Sequence, residues 1–440
     1  MDTDSVLRTR WSRSRVTVQW RTRVIAFVPF LLVGTVLLVS CDGLATSYGL
    51  WSDPAAISSN LNLAQTSDGG RVYSYRPFED GTMVFSLDAG DTWSVEEAHS
   101  GWVCATDGVL YRVNMSDEEY SAGAVLFSTS NDNGETWSDT VEVFVLDSIN
   151  DGAFGVFMIQ NILVVYSYDG AGGSDGSIIV SKSLDGGVTW SVPSTVDSQV
   201  HVEDPNPADI IYFEGKLYLA YFTYETDPEV VYDIVIVESD DMGDTWGNRQ
   251  VVANDGGFPL IKSDGDAIYI TYWAIGGGTD TPLLRFIKST DGTTWSTPVD
   301  VGVVDDFTDP LVIHALAVSS GQLFVAYSDY NASEEEFRVR INYSADGGET
   351  WADMGDVTGS TSNTIAPTLS IDGTKLHFTW VDMGTDTWPV DVITCYRNLE
   401  IGAETIPEFG SMVVPTIVLL AVVLTVSRFK GKGRRRDGAN

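Results

Sequence analysis

Short apolar segments separated by glycine- and aspartate-containing turns run through most of the 440-residue chain. Residues 178–181 and 235–238 are typical, because β-branched side chains dominate them. Longer segments that mix apolar and aromatic residues recur at 215–222, 266–273 and 321–327. Segments of this length and composition, bounded by turn residues, are typical of β-strands. The pattern predicts an all-β protein.

An eight-residue motif of the form Ser-x-Asp-x-Gly-x-Thr-Trp recurs along the chain. Its tryptophans are 44, 53, 56, 49 and 56 residues apart. Six copies at such spacing indicate a repeat architecture. The copies occupy residues 86–93, 130–137, 183–190, 239–246, 289–295 (one residue shorter) and 344–351.

The residue types in this motif suit a tight turn between two strands. An Asp carboxylate accepts backbone N–H bonds within its own turn, and Gly supplies a positive φ that other residues resist. The Trp ring is expected to lie back over the sheet and bury a large apolar area. We therefore predict one hairpin turn per copy.

These octets resemble the Asp-box, or BNR, repeat of sialidases and related proteins. The resemblance covers about residues 48–400 and implies a β-propeller with one box between the third and fourth strands of a blade. It implies that the box residues are structural and not catalytic. They are Asp88, Asp132, Asp185, Asp241, Asp291 and Asp346, with Trp93, Trp137, Trp190, Trp246, Trp295 and Trp351.

The number of blades can be inferred from the segments that lack a box. Residues 366–380 repeat the pattern that precedes each box, and residues 391–396 supply a third strand, but no box comes after it. Residues 50–54, near the start, resemble the segments that come after the boxes elsewhere. An N-terminal strand that completes the last blade would hide both sheet edges. We therefore favour seven blades; six blades with a decorated end is the alternative.

Both ends of the chain carry an apolar stretch flanked by basic residues. Residues 24–40 come after six arginines, and residues 412–426 precede six Lys and Arg. We interpret residues 1–41 as a signal peptide or N-terminal anchor, and predict a C-terminal transmembrane helix within 406–440. The positive-inside rule then places residues 42–410 at the extracellular face of the cell membrane. Apolar helices are thus predicted to flank the propeller.

Two short motifs add to this picture by resemblance. Residues 38–41 resemble a lipobox, which implies lipidation of Cys41; ordinary cleavage or a retained helix is the alternative. Residues 406–410, with the apolar run and the basic cluster after them, resemble archaeal PEF-type C-terminal sorting signals. That resemblance implies an archaeal cell-surface protein with a lipid anchor, and a plain transmembrane anchor is the alternative.

Charge is distributed unevenly along the chain. The net charge is −37 overall but −46 between residues 42 and 410, because the ends hold 12 of the 25 Lys and Arg. Such a surface repels phosphate backbones, so nucleic-acid binding is not expected. Cys104 and Cys395 are candidates for a disulfide or for buried thiols. No cofactor is expected, and the acidic clusters lack the spacing of a calcium loop; a structural calcium ion is the alternative.

Ligands of Asp-box propellers are expected over the axis, on the face opposite the boxes. No catalytic residue can be transferred from the family, because the Phe-Arg-Ile-Pro start is absent. We predict a monomeric surface module that binds glycan or an envelope protein; a sialidase-type hydrolase and a structural envelope component are the alternatives. The candidate ligand-binding residues are Glu203, Asp204, Tyr224, Glu225, Asp309, Arg76, Arg112, Arg285 and Arg338.

Overall fold

The fold is taken from a computed structural model of the chain. It describes residues 51–59, 62–77, 81–116, 123–146, 154–169, 175–201, 209–225, 231–254, 256–274, 283–303, 314–331, 336–360, 363–384 and 392–401. The predictions for residues 1–41 and 406–440 fall outside these ranges.

The described residues form 28 strands in seven four-stranded antiparallel sheets. We call the sheets blades 1 to 7. The first strand, β1 (Ala55–Ser58), belongs to blade 7. Blade 1 consists of β2 (Ala64–Asp68), β3 (Arg71–Tyr75), β4 (Thr82–Ser86) and β5 (Glu97–Ala98). Blade 2 consists of β6 (Trp102–Thr106), β7 (Val109–Met115), β8 (Ala124–Ser130) and β9 (Val141–Val145). Blade 3 consists of β10 (Phe154–Ile159), β11 (Ile162–Asp169), β12 (Asp175–Ser183) and β13 (Ser194–His201).

The remaining blades have the same order. Blade 4 consists of β14 (Asp209–Phe213), β15 (Lys216–Glu225), β16 (Val231–Ser239) and β17 (Gly247–Asn254). Blade 5 consists of β18 (Gly256–Ser263), β19 (Ile268–Ala274), β20 (Leu283–Ser289) and β21 (Val299–Val303). Blade 6 consists of β22 (His314–Ser319), β23 (Gln322–Asn331), β24 (Glu336–Ser344) and β25 (Ala352–Asp353). Blade 7 adds β26 (Thr364–Asp372), β27 (Lys375–Asp382) and β28 (Ile393–Glu400) to β1.

The seven blades close into a ring. The first strand of each blade contacts the first strand of the next, and β26 of blade 7 contacts β2 of blade 1. The first strands therefore surround the axis and the fourth strands lie at the periphery. The predicted seven-bladed propeller is confirmed.

An apolar layer fills the space between neighbouring blades. Between blades 4 and 5, for example, Phe222 and Ile236 pack in the same buried cluster as Ile261 and Ile270. The second and third strands are buried on both faces because a neighbouring blade packs against each face of the sheet. This explains why β19 is almost continuously apolar and does not alternate.

The closing strand β1 pairs antiparallel with β28, as the sequence predicts. Ala55 lies opposite Tyr396, and Ala56 lies opposite Cys395. The pairing extends towards the chain start, because the Ser52 N–H donates to the Asn398 carbonyl at 3.0 Å. Backbone hydrogen bonds between β1 and β28 thus join the first and last described segments and complete blade 7.

The two faces of the ring differ in their loops. All six boxes lie between the third and fourth strands, as predicted, on the face that also holds the turns between first and second strands. Ala89 of the first box donates its N–H to the Gly70 carbonyl of such a turn at 2.8 Å. We call this side the box face. The opposite side, which holds the 2–3 loops and the connections between blades, is the open face.

Candidate functional site

Each Asp box is a closed set of hydrogen bonds, and the third box shows it fully. Ser183 Oγ donates to Asp185 Oδ1 and accepts from the Gly187 N–H, both at 2.8 Å. Asp185 Oδ1 also accepts the Thr189 N–H at 2.9 Å, while Oδ2 accepts the Thr189 hydroxyl at 2.5 Å. Trp190 Nε1 donates to the Gly187 carbonyl at 3.2 Å. Both carboxylate oxygens are therefore occupied within their own turn.

The other full-length boxes repeat the Ser–Asp–Thr bonds, and the shortened fifth box adapts them. The Trp bond recurs in the first box, whereas Nε1 of Trp246 and of Trp351 is buried without a hydrogen-bond partner in the described part of the chain.

In the fifth box Asp291 Oδ1 accepts two successive N–H groups, from Thr293 at 2.8 Å and from Thr294 at 2.6 Å. These bonds stabilise the ionised form, so they lower the pKa of Asp291. Bonds from Thr92 lower the pKa of Asp88 to about 2. A carboxyl group held in this state is a poor proton donor, which agrees with a structural role.

Five of the six box glycines lie where another side chain would collide with the preceding blade; Gly243 of the fourth box does not. Gly187 has φ +91°, and a Cβ built on it would lie 2.0 Å from Phe127 of blade 2. The Trp190 ring packs edge-on against the same Phe127, with 5.1 Å between ring centroids. The third box therefore fixes the packing between blades 2 and 3 as well as its own turn.

The predicted acidic candidates fall largely outside the described ranges. Glu203, Asp204 and Asp309 belong to the connections that precede blades 4 and 6. Tyr224 and Glu225 are the last residues of β15, where their backbones pair with Tyr232 and Val231. The backbone therefore places this pair at the open-face end of blade 4, as the strand pattern indicates.

The four candidate arginines lie in four different blades, and none is on an innermost strand. Arg285 lies on β20 and its Nε donates to Asp300 Oδ1 on β21 at 3.0 Å. Arg338 lies on β24 and forms an ion pair with Glu336 on the same strand. Two of the four guanidinium groups are therefore neutralised by carboxylates of their own blade.

The other two candidate arginines have no carboxylate partner among the described residues. Arg112, on β7, stacks over the Trp137 ring at 4.0 Å from its centroid and donates to Ser128 at 3.0 Å. Burial lowers the pKa of Arg112. Arg76 comes directly after β3 at the open face, and its Nε is buried without a hydrogen-bond partner within the described ranges.

Ion pairing neutralises most of the positive charge of the propeller. The segment 42–410 has 13 Lys and Arg, all within the described ranges, and nine lie within 4.0 Å of a carboxylate. Asp209 and Lys262 form such a pair between blades 4 and 5, at 2.6 Å. Asp209 begins an innermost strand at the open face, and sequence analysis did not single it out. Its only signal was an acidic residue directly before a buried apolar strand.

A buried histidine packs between blades 5 and 6. His314 begins the innermost strand β22, and its Nε2 is 3.1 Å from Thr271 Oγ1 of blade 5. Its ring meets Trp273 edge-on, with 5.7 Å between centroids. Burial lowers the pKa of His314 to about 4, so the imidazole is neutral at pH 7. It is suited to hydrogen bonding and not to holding a positive charge.

Cys104 and Cys395 are both free thiols, in blades 2 and 7 respectively. Within the described parts of the chain, no three His, Cys, Asp or Glu side chains are arranged to hold a metal ion. The same parts contain no helix with the length and apolar character that a membrane crossing requires.

Part of the ring matches a known repeat family. Residues 215–380 match the model described as "BNR repeat-like domain". The repeat predicted from the octets is thus confirmed for blades 5 and 6 and for parts of blades 4 and 7. No curated protein matches the chain.

Several solved structures resemble the chain at low identity. "Hadza microbial sialidase Hz136" is 16% identical with a TM-score of 0.44, and the match covers 68% of this chain and 65% of that one. The Trypanosoma rangeli sialidase in complex with DANA is 14% identical with a TM-score of 0.43, covering 79% and 60%. Polysaccharide lyase Uly1 is 11% identical with a TM-score of 0.49, covering 78% and 90%. The chain therefore spans less than two thirds of either sialidase, and these likenesses bear on neither substrate nor activity.

Proposed function

We propose that this protein is a recognition module, anchored at the extracellular face of the membrane, whose open face binds a glycan without acidic groups. The apolar stretches and basic clusters at both ends support the anchoring. The 2–3 loops and blade connections of a rigid ring support binding, since such loops vary while the scaffold stays fixed.

The observation that carries this proposal is the ion pairing of the arginines. A sugar carboxylate is gripped by guanidinium groups that offer two parallel hydrogen bonds. Here Arg285 and Arg338 already hold Asp300 and Glu336, and Arg112 is engaged by Trp137 and Ser128. The segment 42–410 carries a net charge of −46, which favours uncharged ligands over acidic ones at the open face.

The test compares binding with hydrolysis in the propeller fragment 48–400. We expect retention on a glycan array by neutral oligosaccharides, and no release of fluorophore from a panel of fluorogenic sialosides. Arg285→Ala should leave array binding unchanged, because its guanidinium is already paired. Sustained fluorophore release that Arg285→Ala abolishes would overturn the proposal.

A sialidase-type glycosidase is the second candidate, and one observation favours it. Arg76 lies at the open face with a buried Nε that lacks a partner among the described residues. Of the four candidate arginines, it has the most N–H donors left to bind a ligand carboxylate. If the protein is such an enzyme, Arg76→Ala should abolish release from sialosides, whereas Lys375→Ala, at the box face, should not change it.

A further inference from the structure

The described chain enters and leaves the propeller on the same face. Ser52, just before β1, pairs with Asn398 near the end of β28. Ile401 donates its N–H to Thr374, in the turn between β26 and β27, at 2.5 Å. Asn398 Nδ2 also donates to the carbonyl of Ala89, in the first box, at 3.3 Å. Both exits therefore lie side by side on the box face.

With the N-terminal apolar stretch retained as an anchor and not cleaved as a signal peptide, both membrane segments are close to these exits in sequence. Residues 41–50 separate the first apolar stretch from Trp51, and residues 402–411 separate Ile401 from the second. Ten residues reach at most about 35 Å when fully extended. This step rests on the membrane attachment proposed above. Two short tethers on one face orient a rigid ring with that face towards the bilayer.

The boxes near the exits expose large apolar side chains. With the two residues after the tryptophan counted as part of each box, Leu184, Val188 and Val192 of the third box are 71%, 70% and 88% exposed. In the first box Leu87 and Val95 are 56% and 76% exposed, and Asp91 takes the middle position. The corresponding positions of the other full-length boxes are mostly polar or acidic. They are Asn131, Glu135 and Asp139 in the second, Asp240, Asp244 and Asn248 in the fourth, and Ala345, Glu349 and Asp353 in the sixth.

The contrast between boxes is not required by the turn itself. All the full-length boxes keep the same Ser–Asp–Thr hydrogen bonds, whatever occupies the exposed positions. The hydrogen bonds of the turn therefore do not require apolar side chains at these positions. The apolar side chains lie in blades 1 and 3, on either side of the polar second box in blade 2 and on the arc that begins at the exits in blade 7, whereas the acidic fourth and sixth boxes lie in blades 4 and 6.

We infer that the box face docks on the membrane surface, with the apolar side chains of the first and third boxes inserted at the lipid interface. The ring is tilted so that blades 7 to 3 approach the lipid and blades 4 to 6 stand away. The open face and its loops point outwards. Since the propeller is strongly acidic, the lipid it contacts is zwitterionic and not anionic.

The experiment measures the depth of single labels on the full-length protein in phosphatidylcholine vesicles. Val188→Cys carries an environment-sensitive fluorophore at the third box, and Val303→Cys carries it at the open-face end of β21. Val303 is a matched control, because it is an exposed valine at 50%. Cys41, Cys104 and Cys395 are replaced by Ser in both variants. We expect brominated lipids to quench the label at 188 at least threefold more than the label at 303.

Three other results would overturn the inference. Equal, weak quenching at both positions in protein that floats with the vesicles would mean that the tethers hold but the box face does not dock. Stronger quenching at 303 would mean that the open face docks instead. Protein that does not float with the vesicles would remove the attachment on which the orientation rests.

A second variant tests the apolar side chains themselves. Leu184→Asn, Val188→Glu and Val192→Asp together give the third box the residues of the second box, which the same fold already accepts. With the label at Val95→Cys, this triple change should at least halve the quenching without altering the unfolding temperature. Unchanged quenching would show that these side chains do not insert.

Discussion

Two box glycines with the same backbone conformation provide a sharp test of how the ring is sealed. Gly90 in the first box and Gly243 in the fourth both have φ +93°. A Cβ at Gly90 would lie 1.9 Å from the Tyr396 hydroxyl, whereas the nearest atom to a Cβ at Gly243 is Leu217 Cδ1, at 3.6 Å. The two alanine substitutions therefore differ in steric overlap and share backbone strain.

The expected magnitudes depend on the contacts of Tyr396 at the seam between blades 7 and 1. Its ring is buried against Trp93, and its hydroxyl bonds to His377 Nδ1 at 2.7 Å and to the Ala89 carbonyl at 3.1 Å. Strain alone costs about 1–3 kcal/mol, so Gly243→Ala should lower the free energy of unfolding by that amount. Displacing Tyr396 adds about 1–3 kcal/mol of overpacking and roughly 1 kcal/mol for each lost hydrogen bond.

Guanidinium denaturation of the fragment 48–400, monitored by tryptophan fluorescence, measures both variants. Gly90→Ala should lose roughly 4–8 kcal/mol and Gly243→Ala about 1–3 kcal/mol. Equal losses within about 0.5 kcal/mol would refute the reasoning, because the seam would then add nothing to the strain.

Three further predictions concern buried groups. The pKa of His314 is lowered from 6.5 to about 4, so between these pH values only the unfolded chain takes up the proton. The unfolding temperature should therefore fall as the pH drops from 6.5 to 4. In His314→Gln this fall should be smaller. Burial raises the pKa of the thiols of Cys104 and Cys395; reductant should leave the unfolding temperature unchanged, and iodoacetamide should modify them rapidly only in denaturant. Asn342 opens a glycosylation sequon but is buried, and its Ser344 is bonded within the sixth box; mass spectrometry of the peptide that contains Asn342 should find it unmodified.

Sequence alone predicted the propeller because each repeat carries its own geometry. The octets mark where the third strand ends and the fourth begins, and residues 50–54 resemble the segment after a box. Box bonds such as Thr189 to Asp185 span four residues, so a local pattern suffices to specify them.

The candidate site was less accessible to the same reasoning, because its contacts depend on register between strands. The register between β20 and β21 shifts by a bulge next to Arg285, so its partner Asp300 cannot be counted from the box. The pair of Asp209 and Lys262 joins two blades and is 53 residues apart in sequence. Local spacing placed the arginines on strands but could not show that carboxylates already neutralise two of them.

The pairing of β1 with β28 also sets the order in which this molecule can be completed during synthesis. The strand that leaves the ribosome first has its neighbour among the last strands to be made, about 340 residues later. Until that neighbour arrives, β1 is an unpaired edge and blade 7 is absent, so the circle stays open however well blades 1 to 6 have formed. Closure of the ring therefore cannot come before β28 has been synthesised, and in a chain that ends before residue 393 β1 lacks its pairing strand.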